Sequence, residues 1–301
     1  MEKEVRRKPL LRSEIGFGLL HLSPVLIFWT GSTMFDWMVC IALYFIRMFL
    51  VTGGYHRYFS HKTFKTSRFV QFLIAFGAET SLQKGALWWA AHHRTHHKYS
   101  DLPKDPHSKK LYGFWYSHIG WIMGPDYKTT EYNVIRDYAK YKDIRWINKY
   151  YLLPPFVLMI AVWLVGGYVN SGGDWALVPT AGLSTLVVGF FTSTVILFHG
   201  TFSINSLMHM IGNQRYKSKD ESKNSLILAL VTLGEGWHNN HHYYQSSVRQ
   251  GFFWWEIDIT FYLLKILSWF GIIWDLRPVP AHIKYSKNKE EARELAMAAR
   301  G

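Results

Sequence analysis

The sequence predicts an all-α integral membrane protein, with four spanning helices in two hairpins and a helical cap gathered on the cytoplasmic face. Three observations carry this reading: four apolar runs of spanning length, a one-sided distribution of lysine and arginine, and histidines clustered outside the runs. The mean hydropathy of −0.04 hides the segregation, because polar and apolar residues come in long separate blocks.

The apolar runs lie at about 15–31, 34–53, 150–169 and 175–198, each close to the ~20 residues that a spanning helix needs. The turns inside the two hairpins, "GSTMFD" and "NSGGD", carry no lysine or arginine. Of the 34 basic residues, 5 precede the first run, 16 lie between Val51 and Lys149, and 12 follow His199. Positive residues resist translocation, so both termini and the cap, residues 54–149 and 199–301, are expected in the cytoplasm. Arg47 alone falls inside a span and is expected to snorkel outward. The basic flank "RRKPLLR" resembles that of a signal peptide, but no small-residue cleavage site follows and the segment is expected to be retained.

No linker or repeat divides the chain, so residues 1–301 read as a single membrane domain. The stretches "FVQFLIAFGAETSLQKGALWWAAHH" and "FFWWEIDITFYLLKILSWFGIIW" are apolar but interrupted by polar residues, and they are expected as interfacial or cap helices. The tail from Lys284 is charged and reads as a surface helix. A net charge of +13 suits an anionic leaflet, and no segment resembles a nucleic-acid module, so nucleic acid is not an expected partner. Cys40 is the only cysteine, which excludes an intrachain disulfide framework and a cysteine-ligated cluster.

"HHRTHH" at 92–97 and "WHNNHH" at 237–242 repeat one spacing. On a helix His93, His96 and His97 can direct imidazoles to one point, as can His238, His241 and His242. His56 and His61 follow the second run, five residues apart. A single tetrahedral zinc needs three or four ligands, so eight histidines suggest two metals. Imidazole suits iron, zinc, copper and nickel alike. A carboxylate-type di-iron bundle would need paired Glu-x-x-His motifs, and only Glu235 with His238 fits. His21, His118, His199 and His282 stand alone and read as structural residues.

The segments "HRYFSH", "HRTHH" and "HNNHH" resemble the three histidine boxes of the integral-membrane fatty acid desaturases, nearest the acyl-CoA Δ9 branch typified by stearoyl-CoA desaturase. The likeness runs through "GGYHRYFSHKTFKT", "DPHS", "GFWYSHIGW", "NSLMH" and "GEGWHNNHHYY", over roughly residues 50–245. The resemblance implies a centre of two irons held by nine histidines: His56, His61, His93, His96, His97, His209, His238, His241 and His242. In it "NSLMH" supplies His209 as the ninth ligand and Asn205 as a residue that reaches a metal through water. Zinc can substitute at such nitrogen-rich sites in purified protein. His92, Asp101, Asp105 and His107 are expected behind the ligands, the carboxylates orienting imidazoles by accepting their second N–H.

The implied activity is O2-dependent removal of two hydrogens from a long saturated acyl chain, placing a cis double bond at Δ9, with acyl-CoA as the first-choice substrate. Such C–H bonds have no acidity to exploit, so the metal centre must supply the oxidant. The chain has no nicotinamide fingerprint, cysteine cluster or fused cytochrome b5 element. A separate carrier, ferredoxin or cytochrome b5, is therefore expected, its acidic surface meeting the positive cytoplasmic face. Trp88, Trp89, Tyr44 and Phe45 are candidate walls of an apolar tunnel that measures the acyl chain.

One departure concerns the head group. Where the animal enzymes carry a basic pair beyond "HIGW", this chain has Pro125 and Asp126, which leaves acyl carrier protein or lipid-linked chains as alternatives to CoA. Lys104, Lys109 and Lys110 are candidate phosphate contacts. The nearest rival activity is a membrane hydroxylase with the same metals. A metal transporter is less well matched, because the spans lack histidine and acidic residues apart from His21 and Asp36 near their ends.

Overall fold

A computed structural model describes residues 12–124 and 127–299; Pro125 and Asp126 lie outside the described residues. Among the described residues, three helices are long and apolar enough to cross a membrane: Met34–Ser60, Leu153–Asn170 and Val178–His209. The first apolar run forms the shorter apolar helix Ile15–Thr30. Pro24 opens a 3-10 turn at Ser23–Leu26 within it, as expected where proline removes a helical hydrogen bond.

The chain divides into two compact units. The first comprises residues 1–41 and 161–195. Its polar centre is Asp36, which accepts hydrogen bonds from the Thr33 amide, the Asn170 amide nitrogen and the Thr185 hydroxyl. Small residues bring its helices into close contact: a Cβ at Gly166 would lie 2.1 Å from Thr185 Oγ1, and one at Gly182 would lie 2.3 Å from the Trp163 carbonyl. Such contacts are what hold helices together in hydrocarbon, where apolar side chains gain nothing by leaving lipid.

The second unit comprises residues 42–160 and 196–301. Its apolar core joins Val51, Tyr55 and Phe59 to Ala75, Ala78, Leu87 and Ala91, and to Ile144, Ile147 and Leu264. The two interrupted apolar stretches form the helices Arg68–Glu79, Ala86–Tyr99 and Ile259–Trp269. Trp254, Trp269 and Phe270 are among its exposed aromatic residues, the residue types that favour a membrane–water boundary. One short antiparallel pair, Lys65–Thr66 with Ile273–Trp274, ties the segment after the first histidine box to the end of the last of these helices. The tail forms a helix over Lys289–Ala298, capped by the Asn288 side chain.

One expectation fails inside the spans. Arg47 is 1 % exposed, and its Nε donates to the Leu43 carbonyl at 3.1 Å. It turns into the protein instead of snorkelling, with a carbonyl one turn back on its own helix as an acceptor.

Candidate metal centre

The first box sits where the helix Met34–Ser60 widens into a π-helical turn over Leu50–Ser60. This explains the five-residue spacing. On an α-helix, residues five apart diverge by about 140°, whereas the wider π turn brings them back toward one face. The His61 amide bonds the His56 carbonyl at 3.2 Å, and the two rings stand 4.8 Å apart.

The second box lies on Ala86–Tyr99, whose N-terminus is capped from outside the helix. Glu79 accepts from the Ala86 amide, and Asn148 Oδ1 accepts from the amides of Leu87 and Trp88. These acceptors occupy donors that a helix start leaves unpaired. Burial pushes the Glu79 carboxyl up to about 8. The arginine of "HRTHH" ties this helix to the first box: Arg94 donates to the carbonyls of Phe59 and Ser60 and forms a two-pronged pair with Asp137.

The third box is a short helix, His238–Tyr243. Too short to be stable alone, it is held by the two asparagines between its histidines. Asn239 accepts from the Tyr216 amide, while Asn240 donates to the Gln250 carbonyl and the Glu256 carboxylate. Asn224 caps the helix through the amides of Asn239 and Asn240.

These elements bring nine imidazoles into two groups. His56, His61, His93, His97 and His241 form one, and His96, His209, His238 and His242 the other; within each, the candidate ligand atoms lie within 4.8 Å of one another. Each triplet is therefore split, contrary to the expectation that its three rings converge on one point. Helix geometry gives the reason: residues i and i+4 differ by about 40° in direction, whereas i+3 lies about 60° to the other side. His93 and His97 go to one group and His96 to the other; His238 and His242 pair while His241 crosses over.

In the five-histidine group the Nε2 atoms follow one another closely. Separations are 2.9 Å for His61–His93, His93–His97 and His97–His241, and 3.0 Å for His241–His56. Hydrogen bonds cannot account for this run. A neutral imidazole carries one N–H, and three of these nitrogens each face two others. A cation at the focus satisfies all the lone pairs together. Nitrogens about 2.1 Å from a metal at right angles stand about 3.0 Å apart, against about 3.4 Å in a tetrahedron. The spacing fits nitrogens that would share one ion.

In the second group His238 and His209 approach through Nε2 at 3.2 Å. His96 and His242 each turn Nδ1 to a carboxylate, Asp105 at 2.8 Å and Asp220 at 2.6 Å. Their Nε2 atoms are buried without a hydrogen-bond partner. An imidazole whose Nδ1–H is committed to a carboxylate offers its lone pair at Nε2, as metal-binding histidines do. Both groups therefore fit bound metal.

Burial favours the neutral form of five of the rings, whereas Asp105 pushes His96 up against its burial. Burial, reinforced by neighbouring imidazoles, pushes His61, His93, His97, His238 and His241 well below the usual histidine range. Against the same burial, the His96 ring holds Asp105 far below the usual carboxylate range, and His242 does so for Asp220. Glu235 is likewise opposed by burial, yet His56 and Arg57 hold it down to about 2. It bonds His56 Nδ1 at 2.6 Å and Arg57 at 3.0 Å, and Asp258 completes the buried arginine's pairing at 2.9 Å.

Of the residues expected behind the ligands, Asp105 takes the orienting position. Asp101 instead accepts from the Ser108 hydroxyl and the Glu221 amide, bracing the loop. His92 lies outside both groups, its Nδ1 donating to the Trp88 carbonyl. The His107 ring packs against His96, tilted, at 4.2 Å. Ser117 bonds the Asn205 backbone carbonyl, and Asn205 stands one turn before His209.

Trp89 stacks on His93 at 4.8 Å, and Trp88 stacks on Trp121 at 5.9 Å, its indole bonded to the Tyr127 carbonyl. Tyr44 is buried and bonds the Val231 carbonyl at 2.8 Å. Phe45 is a correction: at 47 % exposure it faces outward, as the next position on a helix must when Tyr44 faces in. Lys110 pairs with Glu221, and Lys104 lies over the Tyr99 ring.

Sequence reasoning missed Glu235 and Asp220 as partners of His56 and His242. Glu235 was visible only as a lone Glu-x-x-His, and Asp220 sits in "KSKDESK", which reads as a solvated charge run. Neither has a local signal pointing to its imidazole.

The fatty acid desaturase family model matches residues 35–268. An acyl-CoA C20 Δ5-desaturase from Anemone leveillei is 34% identical over 277 residues, covering 90% of this chain and 82% of the relative. An sn-1 stearoyl-lipid 9-desaturase from Synechocystis is 35% identical over 271 residues, 88% of this chain and 79% of the relative. A hex-5-enoyl-[acyl-carrier protein] acetylenase from Moorena producens is 32% identical over 266 residues, 84% and 80% respectively. With its nine gathered histidines and a match across most of its length, the chain belongs to the fatty acid desaturase family.

Proposed function

We propose that this protein is an O2-dependent desaturase that places a cis double bond at Δ9 of a long saturated acyl chain, carried as the CoA thioester. The observation that carries the reading is the pairing of nine imidazoles into two nitrogen-rich groups within a family that acts on acyl chains. The two groups would hold two irons, through His56, His61, His93, His97 and His241 on one side and His96, His209, His238 and His242 on the other, with Asn205 acting through water. Two irons with O2 supply the oxidising power needed for an unactivated C–H bond. One O2, the substrate's two hydrogens, two protons and two electrons from a carrier protein give the alkene and two waters.

The chain's own residues position this chemistry. Asp105, Asp220 and Glu235 each take an Nδ1–H and so aim the opposite nitrogen at a metal. Trp88, Trp89 and Tyr44 are the proposed walls along the acyl chain, excluding water and presenting one methylene pair. The proposal includes one membrane domain over 1–301 with four crossings, and both termini and the metal groups on the cytoplasmic side. The distribution of lysine and arginine supports that topology.

The experiment is expression of the full chain in cells supplied with saturated fatty acids, followed by mass analysis of the acyl profile. The expected product has lost two hydrogens at carbons 9 and 10, and it disappears in His241→Ala. A product gaining one oxygen would replace this reading with a hydroxylase. In a purified assay, conversion of carrier-protein-bound or lipid-linked chains but not acyl-CoA would overturn the CoA assignment. Single-cysteine labelling on a Cys40→Ser background tests the topology.

A further inference from the structure

Two of the four histidines that stand alone in the sequence meet in the fold. His118 lies in the π-helical turn Tyr116–Gly120 and His199 on the helix Ser193–Ser206, and His118 Nε2 stands 3.1 Å from His199 Nδ1. Their rings stack at 5.3 Å, and Phe114 also stacks on His118 at 5.3 Å. His118 is buried, whereas His199, the first residue past the apolar run 175–198, is exposed. Neither belongs to the two metal groups.

The hydrogen bonds of this pair have a direction. The Ser206 hydroxyl donates to the Phe202 carbonyl at 3.1 Å, so its oxygen accepts from His118 Nδ1–H at 2.9 Å. Burial and the facing imidazole hold His118 below the usual histidine range. A neutral ring carries one N–H, so His118 Nε2 accepts from His199 Nδ1–H. In neutral His199 this leaves Nε2 as a lone pair at the exposed end of the chain. His199, Phe202 and Ser206 lie on one helix face, all in contact with His118. That face runs on to His209 of the four-histidine group, about 15 Å further along the helix, a span comparable with the reach of an acyl chain from its head to its middle.

We propose that His199 is a substrate-contacting residue whose Nε2 accepts a hydrogen bond from the first amide N–H of a phosphopantetheine arm, with His118 and Ser206 fixing its tautomer. The inference rests on the desaturase reading. CoA and carrier proteins share that arm, and its nearest amide lies a short way beyond the thioester sulfur. A glycerolipid ester has no N–H in that place. The contact therefore favours pantetheine thioesters, because a chain without the donor leaves the acceptor unpaired. It also anchors the head, so that the same methylenes reach the metal groups.

The test is anaerobic binding of stearoyl thioesters to the full iron-loaded chain in lipid nanodiscs, which reads affinity without turnover. The probes are stearoyl-CoA, stearoyl-carrier protein, the stearoyl thioester of N-acetylcysteamine, which keeps the amide and lacks phosphate, and the stearoyl S-ethyl thioester, which lacks both. His199→Leu is expected to weaken the amide-bearing probes about five- to tenfold and to leave the S-ethyl thioester unchanged. His199→Gln keeps an acceptor and should recover most of that loss. His118→Leu should lose part of the preference for the amide, with metal content unchanged in all three variants. A response with CoA or with the carrier protein identifies the source of the arm. The proposal is overturned if the S-ethyl thioester weakens as much as the N-acetylcysteamine thioester, or if no probe responds to His199→Leu. Failure of the desaturase reading would register separately, as no unsaturated product when O2 and a reductant are supplied to the unmodified protein.

Discussion

The two histidine groups are built from the same boxes but differ in charge and access. The five-histidine group has one carboxylate behind it, Glu235 on His56, and opens toward a positive cleft. The four-histidine group is closed and has two, Asp105 on His96 and Asp220 on His242. A carboxylate behind an imidazole makes it a stronger donor. The closed group is thus the more electron-rich per ligand, and the open group has more ligands and a route to solvent. Two nearly equal ligand sets can therefore serve a coupled reaction unequally.

The largest expected effect comes from removing a ring from each group in turn. His241→Ala and His238→Ala should each abolish detectable unsaturated product, and each should lose about one metal of two by elemental analysis. Loss of both metals from either variant would show that the groups are not separable sites.

Glu235→Gln should act on stability as well as on His56. It leaves the buried Arg57 with Asp258 as its remaining carboxylate, and breaking a buried pair costs several kcal/mol. Because the folded Glu235 carboxyl sits at about 2, below its ordinary 4.5, its contribution is present above pH 4.5 and is lost as pH falls toward 2. The difference corresponds to a contribution on the order of 3 kcal/mol. Denaturation across that window should be steeper in pH for the unmodified protein than for Glu235→Gln; parallel curves would contradict the assignment.

Asp220→Asn should weaken metal binding at the four-histidine group about 10- to 100-fold and leave the other group's affinity unchanged. Chelator competition measures both. An equal loss at the two groups would erase the electrostatic distinction between them. The smallest effect is expected from Tyr44→Phe, which removes the bond to the Val231 carbonyl and should cost about 1 kcal/mol with both metals retained.

Much of the site was legible because histidine is rare in cores and its spacing is local. The triplets in "HHRTHH" and "WHNNHH" mark candidate metal ligands from their spacing alone. His209 was legible only through likeness to a family, since one histidine a turn after an asparagine has no pattern of its own. The reading erred where direction mattered more than composition: at Arg47, which turns inward, at Phe45, which turns outward, and in the convergence of each triplet. A span's amino acids say that it is apolar but not which side meets its neighbours.

Residue order along the chain was enough to establish the long apolar helices, the histidine boxes and the excess of positive charge, because each depends on neighbours within a few turns. The division of nine imidazoles into five and four, the carboxylates behind them and the cleft over His61 and His97 depended on packing in three dimensions. Glu235 meets His56, and Asp220 meets His242, only after segments far apart in the chain are brought together, and no local periodicity encodes such a meeting.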